Sequence, residues 1–138
     1  MFERVDYRKL SAKQQEIYNY QWVSGLLGTY GFHTHLIPDD WEGADFIARH
    51  MLTGKQLSVQ LKGRVYFAKK YFGKQIWICF RHDKSAYLYP HDQLLEAYLK
   101  RNPMTNNQAW QMGGEAHWKT PTAAHRQLLE PFRLEAKI

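Results

Sequence analysis

Three polar side chains lie within residues 43–64, in two stretches that otherwise have the composition of apolar strands. Asp45 lies in the first stretch, and Gln60 and Lys62 lie two residues apart in the second. A carboxylate and an amide oxygen suit Mg²⁺ or Mn²⁺, and such an ion polarises phosphoryl oxygens and activates water. A lysine beside it stabilises developing negative charge. The trio predicts phosphoryl chemistry; the simpler alternative is a surface salt bridge between Asp45 and Lys62 with a solvated Gln60.

A hairpin must position these three side chains. Residues 44–51 and 57–62 are predicted to form strands, with a turn at Thr53-Gly54-Lys55 between them. Because side chains alternate along a strand, Gln60 and Lys62 share one face. The other face is predicted to be core and carries Phe46, Ala48, Leu57, Val59 and Leu61.

The register of this hairpin decides how close the trio comes. A tight turn with Leu52 opposite Lys55 places Asp45 opposite Lys62. A register that differs by two residues still leaves Asp45, Gln60 and Lys62 close together. Either register therefore predicts one polar cluster on the hairpin.

The remaining sequence predicts one α/β domain over residues 1–138, with a central mixed sheet flanked by helices. A first helix over 12–29 begins at Ser11, which has capping-box spacing to Gln14, and its predicted apolar stripe includes Ile17 and Val23. Further strands are predicted at 32–37, 75–80 and 85–89, and helices at 90–100 and from residue 120. Residues 63–74 are interpreted as a basic aromatic link and 102–119 as an irregular loop.

Bulk properties narrow the class of protein. The 138 residues are 44% hydrophobic, enough for one buried core, and the formal charge of +6 favours polyanionic partners, nucleic acid first. The single cysteine, Cys79, excludes an intrachain disulfide and is predicted to be buried. The sequence contains no apolar run long enough for a membrane span and no signal-peptide pattern at Met1, so we expect a cytoplasmic protein without a membrane partner.

The segment resembles the PD-(D/E)xK nuclease superfamily, which has the restriction-endonuclease-like fold. The resemblance covers about residues 11–89 and consists of the helix at 12–29 followed by "GFHTHLI", "GADFIA", "TGKQ" and "VQLKGR". Gln60 replaces the acid of the third-strand motif, a form similar to that of Mrr-like restriction nucleases. Residues 90–138 form a C-terminal extension beyond the matching core.

The resemblance implies a Mg²⁺- or Mn²⁺-dependent DNA endonuclease of restriction, defence or repair. Asp45, Gln60 and Lys62 would be catalytic, with Asp45, Gln60 and the backbone carbonyl of Leu61 as metal ligands. Glu16 would match the acid that relatives carry on the first helix, although Asn19 fits the spacing better. Asp39 in "PD" is the alternative to Asp45, and cutting both strands of a duplex predicts a homo-oligomer.

The basic aromatic link follows the candidate lysine directly. Arg64, Lys69, Lys70 and Lys74 are predicted to bind phosphates, with aromatic residues between them that either stack on bases or cover the sheet. A second interpretation of the whole chain is a nuclease-fold module that only binds nucleic acid or a protein, favoured by the neutral Gln60. A structural or assembly protein without salt-sensitive DNA binding is the third.

Overall fold

The computed structural model of the chain describes residues 1–38 and 43–136. Within these residues the chain forms three α-helices and eight strands. The helices are α1 (Ala12–Thr29), α2 (His91–Arg101) and α3 (Ala123–Leu129). The strands are β1 (Phe32–Leu36), β2 (Phe46–His50), β3 (Gln56–Lys62), β4 (Val65–Ala68), β5 (Ile76–His82), β6 (Ser85–Pro90), β7 (Glu115–Trp118) and β8 (Arg133–Glu135).

Six of the described strands form one sheet, in the order β1-β2-β3-β5-β6-β8. Only β3 and β5 pair in parallel among them, and the other neighbours are antiparallel. Helix α1 packs on one face, while α2 and α3 pack on the other. The predicted α/β class, with a central mixed sheet flanked by helices, is therefore confirmed.

Helix α1 begins and ends where the sequence predicts. The Ser11 side chain accepts from the Gln14 N–H, and the Gln14 side chain accepts from the Ser11 N–H, so a complete capping box satisfies two backbone donors. The buried face carries Val23, Leu26 and Leu27, whereas Ile17 is 47% exposed. The predicted apolar stripe is thus wrong at its N-terminal end, because the first turns of the helix extend past the edge of the core.

A second, two-stranded sheet of β4 and β7 was not predicted. It runs antiparallel, with Val65 opposite Trp118 and Ala68 opposite Glu115. All four residues of β4 and Ala116 of β7 are buried with residues of α2 and α3, so this sheet forms part of the second layer over the main sheet. The interpretation of 63–74 as a link and of 102–119 as an irregular loop is wrong at these positions. The short strand β8 was also missed.

The core consists of two apolar clusters, one on each face of the main sheet. Beneath α1, Phe46, Val59 and Cys79 are buried, and burial raises the pKa of the Cys79 thiol to about 12, so its predicted burial is confirmed. The opposite cluster joins Ile78 and Tyr89 of the sheet to the second layer. Among the described helices, none has the length and apolar character to cross a bilayer.

The hairpin register differs by two residues from the tight-turn prediction. Phe46 pairs with Val59, and the His50 N–H donates to the Lys55 carbonyl at 2.8 Å, so four residues form the loop instead of two. His50 Nδ1 accepts from the N–H groups of residues 52 and 53, and Gly54 adopts φ +75°. These contacts close the longer loop and bring Asp45 beside Gln60 rather than opposite Lys62.

Candidate functional site

Asp45 is held at the end of β2 by both its backbone groups and its carboxylate. Its N–H donates to the Val59 carbonyl at 2.8 Å, and its carbonyl accepts from the Ile37 N–H at 2.9 Å. Its Oδ2 accepts from the Leu61 N–H at 2.8 Å, where the regular ladder between β2 and β3 ends. Asp45 thus bonds to the residues on either side of Gln60, which fixes its carboxylate next to β3.

The backbone segment that leads into Asp45 is also restrained by packing. Gly43 adopts φ +82°, and a Cβ at this position would lie 3.1 Å from the ring of Tyr71. Only glycine enters this conformation without strain, so it lets the chain pass close to the tyrosine. The segment leading into Asp45 is therefore fitted against the second layer.

Gln60 is buried, with 8% of its surface exposed. Its Oε1 has no hydrogen-bond donor among the described residues. A buried acceptor without a partner costs about 1–3 kcal/mol, so such atoms usually have a reason to be there. The expectation that Gln60 is solvated is wrong, because β4 and β7 cover this face of the sheet.

The Leu61 carbonyl lies on the same edge of β3 as the Asp45 carboxylate. In an extended strand the N–H and C=O of one residue point to the same side. Since the Leu61 N–H bonds Asp45 Oδ2, its carbonyl also faces the side where β2 has ended. The end of β3 thus gathers carboxylate, amide and backbone oxygens, and these are the ligands that Mg²⁺ and Mn²⁺ prefer.

Lys62 follows Gln60 on the same face of β3 and reaches into the second layer. Its Nζ lies 4.1 Å from the ring centre of Tyr66 and 5.8 Å from that of Tyr71. These cation–π contacts hold the ammonium near the strand end. Both tyrosines are buried, so they position Lys62 and are not available to stack on bases.

Glu115 is a member of this cluster that the sequence analysis missed. A hydrogen bond from the Tyr66 hydroxyl, with further contributions from Lys70 and Lys62, lowers the pKa of the Glu115 carboxyl. Burial and this same acid raise the pKa of Tyr66. Glu115 reaches the site only because β7 pairs with β4, a long-range contact that leaves no local sequence signal.

The predicted phosphate-binding residues are all exposed, and three of them make contacts. Arg64 Nη1 lies 3.4 Å from His117 Nδ1, and Lys69 Nζ lies 4.9 Å from the ring centre of Trp110. Lys70 pairs with Glu115 at 3.5 Å. Lys74 also belongs to this exposed basic segment, beside the candidate site rather than within it.

Glu16 does not join the site. Its side chain is 72% exposed and pairs with Lys13 at 3.6 Å, on the helix that covers the opposite face of the sheet. Asn19, one turn further, points toward the strand ends and accepts a hydrogen bond from Arg81. Asp39, Asp40 and Glu42 lie outside the described residues. Within 1–38 and 43–136, no three His, Cys, Asp or Glu side chains form a metal-binding group.

Comparison of the chain with protein-family models, with curated proteins and with solved structures found no match. The resemblance to PD-(D/E)xK nucleases therefore depends on the short sequence motifs alone and stays a prediction.

Proposed function

We propose that this chain is a metal-dependent endonuclease that hydrolyses phosphodiester bonds of DNA. The observation that carries the proposal is the buried Gln60 Oε1, which has no donor among the described residues and lies beside a fixed carboxylate. A cation would be the partner that this oxygen lacks, since an amide oxygen without a hydrogen-bond donor is a ready metal ligand.

The donor set fits Mg²⁺ or Mn²⁺. Asp45, Gln60 and the Leu61 carbonyl would hold the ion through oxygen alone, and hard divalent ions of this kind keep several waters besides. When bound, the ion would supply polarisation of a phosphoryl oxygen. The chain's own part is to fix Asp45 through three hydrogen bonds and to hold Gln60 in a buried position beside it.

We assign to Lys62 the stabilisation of the negative charge that develops on the phosphate. Its ammonium is oriented by Tyr66, and Tyr66 is in turn fixed by Glu115, so little reorganisation is needed when substrate binds. Arg64, Lys69, Lys70 and Lys74 would hold the DNA backbone beside it by phosphate contacts. One such site per chain favours a homo-oligomer for cutting both strands.

The second candidate function is binding of nucleic acid without hydrolysis. It is favoured by a specific observation, the lack of any metal-binding group of three His, Cys, Asp or Glu side chains within the described part of the chain. A neutral amide in place of an acid weakens electrostatic attraction for a divalent cation. Both candidate functions use Lys62 and the basic segment, and they differ only in whether the bound nucleic acid is hydrolysed.

Nicking of supercoiled plasmid in Mg²⁺ or Mn²⁺ tests the proposal. Asp45→Asn retains an acceptor for the Leu61 N–H but removes the charge, and Lys62→Met retains most of the packing on Tyr66. We expect each to lower the cleavage rate by about a hundredfold or more. Lys100→Met, at an exposed position on α2, is the matched control and should cleave as the wild type does.

Three outcomes would contradict hydrolysis at this site. Equal cleavage by all four proteins would place the activity elsewhere or in a contaminant. Intact plasmid with a salt-sensitive gel shift would favour the binding module. Neither cleavage nor a shift would favour a structural or assembly role.

A further inference from the structure

A cleft of about 370 Å³ lies between α1 and the ends of β3 and β5. It is on the α1 side of the strand end, across the sheet from the ammonium of Lys62. Its lining includes Tyr18, Asn19, Lys62, Gly63 and Arg81, with Asp83 also present. Of the residues that line the cleft, Leu61 and Lys62 have a place in the proposed reaction, and the others do not.

Arg81 is the unusual side chain of this cleft. Its guanidinium carbon lies 4.0 Å from the ring centre of Trp22 and 5.7 Å from that of Tyr18. Its Nη1 donates to Asn19 Oδ1 at 3.1 Å, while its buried Nε has no acceptor among the described residues. The guanidinium is therefore held in place with donors to spare, since it has five N–H groups.

The charge of Arg81 is not neutralised by a carboxylate within salt-bridge distance in the described part of the chain. Asp83, the acid of the same cleft, lies 3.8 Å from His82 Nε2. A guanidinium fixed by aromatic and amide contacts is a preorganised site for phosphate, which it binds through a planar fork of donors.

We propose that this cleft binds a phosphate of the nucleic acid strand, with Arg81 as the main contact and Asn19 as its positioning residue. Identification of the anion as nucleic acid rests on the proposed function. Lys62 and Gly63 lie next to both the candidate site and the cleft. A nucleic acid strand held at Lys62 can therefore continue past the end of β3 into the cleft. A Cβ at Gly63 would meet nothing within 4 Å, which leaves that path open.

Binding in EDTA tests the cleft separately from hydrolysis. The readout is the fluorescence anisotropy of labelled single-stranded and duplex oligonucleotides, titrated at several salt concentrations. Arg81→Gln should weaken binding of both by about tenfold, the usual effect of one charged hydrogen bond. The slope of log affinity against log salt should fall by about 0.7 for the single strand and about 0.9 for the duplex, because one phosphate contact is lost.

A second arginine–amide pair supplies matched controls. Arg101 on α2 is exposed and donates to Gln127 Oε1 at 3.3 Å, and neither residue lines the cleft. Arg101→Gln should leave affinity and salt slope near wild type. Asn19→Asp places a carboxylate against Arg81 without removing it and should also weaken binding, whereas Gln127→Glu should not. Asn19→Asp also decides the question if circular dichroism shows that Arg81→Gln is unfolded.

The outcomes separate the cleft from the nuclease proposal. The proposal for the cleft would be overturned if Arg81→Gln and Asn19→Asp bound the oligonucleotides as tightly as the two control variants do. This holds even if the wild type cuts the plasmid. Weakened binding by both, with intact plasmid throughout, would support the cleft while hydrolysis fails. A wild-type protein that binds neither oligonucleotide would overturn the cleft as well.

Discussion

At the scale of single residues, burial gives a reason, under the proposed function, for an amide where the nuclease motif has an acid. Gln60 is 8% exposed and lies beside the Asp45 carboxylate, under a second layer of aromatic residues. A second carboxylate there would place two negative charges together in a poorly solvated site. The amide avoids that repulsion and still offers one oxygen, at the cost of a weaker attraction for a cation.

This argument predicts a metal-dependent stability for Gln60→Glu. In EDTA we expect the free energy of unfolding to fall by about 1–3 kcal/mol, because a charge is buried beside Asp45. Mn²⁺ should then raise the melting temperature of the variant more than that of the wild type, since an ion that binds only the folded chain stabilises it. Differential scanning fluorimetry with and without Mn²⁺ measures both effects.

Gln56→Glu is the control, because Gln56 is exposed at the start of the same strand. It should change neither the melting temperature nor its response to Mn²⁺. If Gln60→Glu responds to Mn²⁺ no more than Gln56→Glu does, then Gln60 Oε1 does not face a cation site.

At the scale of elements, helices and strands that local sequence signals indicate could be predicted, whereas pairings between distant strands could not. The capping box of Ser11 fixed the start of α1, and period-two alternation fixed β3. The trio of Asp45, Gln60 and Lys62 could be found because one hairpin carries it. Strands β4 and β7 are four residues each and pair across more than a third of the chain, so nothing local indicated them or Glu115.

The segment before β2 gives a prediction of its own. Gly43→Ala should lower the free energy of unfolding by about 1–2 kcal/mol, because alanine at φ +82° is strained and its Cβ meets Tyr71. The strain lies two residues from Asp45, so the cleavage rate should also fall. Urea denaturation and plasmid nicking measure the two effects.

Gly63→Ala is the matched control at the other end of the site. A Cβ there has open space, so stability should stay within about 0.5 kcal/mol of wild type. Equal stability of the two variants would mean that the close approach of Gly43 to Tyr71 does not constrain the site.

At the scale of the whole molecule, the second layer both covers the candidate site and closes the core. Trp118 of β7, Tyr98 of α2 and the buried His125 of α3 form one cluster of rings in mutual contact. The same layer supplies Tyr66 and Glu115 to the site through β4 and β7. Stability of the fold and geometry of the site therefore depend on one set of contacts, and pH can disturb both.

His125 is a buried group whose titration makes the free energy of unfolding depend on pH. Burial lowers the pKa of its ring to about 4, and Nδ1 accepts from the Thr122 N–H, which leaves a proton on an Nε2 without an acceptor among the described residues. In the unfolded chain the ring protonates below its ordinary pKa of about 6.5. Between these two values the unfolded state binds more protons, so the free energy of unfolding rises with pH.

We expect about 3 kcal/mol of stability, fully present above pH 6.5, to be lost as the pH falls toward 4. His125→Gln keeps a side chain that completes the capping box with Thr122 but does not titrate. Its urea-unfolding free energy should therefore change less between pH 7.5 and 4.5. A residual slope remains, because burial also lowers the pKa of His91. His35→Gln, at an exposed position on β1, is the control; equal slopes for the two variants would exclude His125 as the origin.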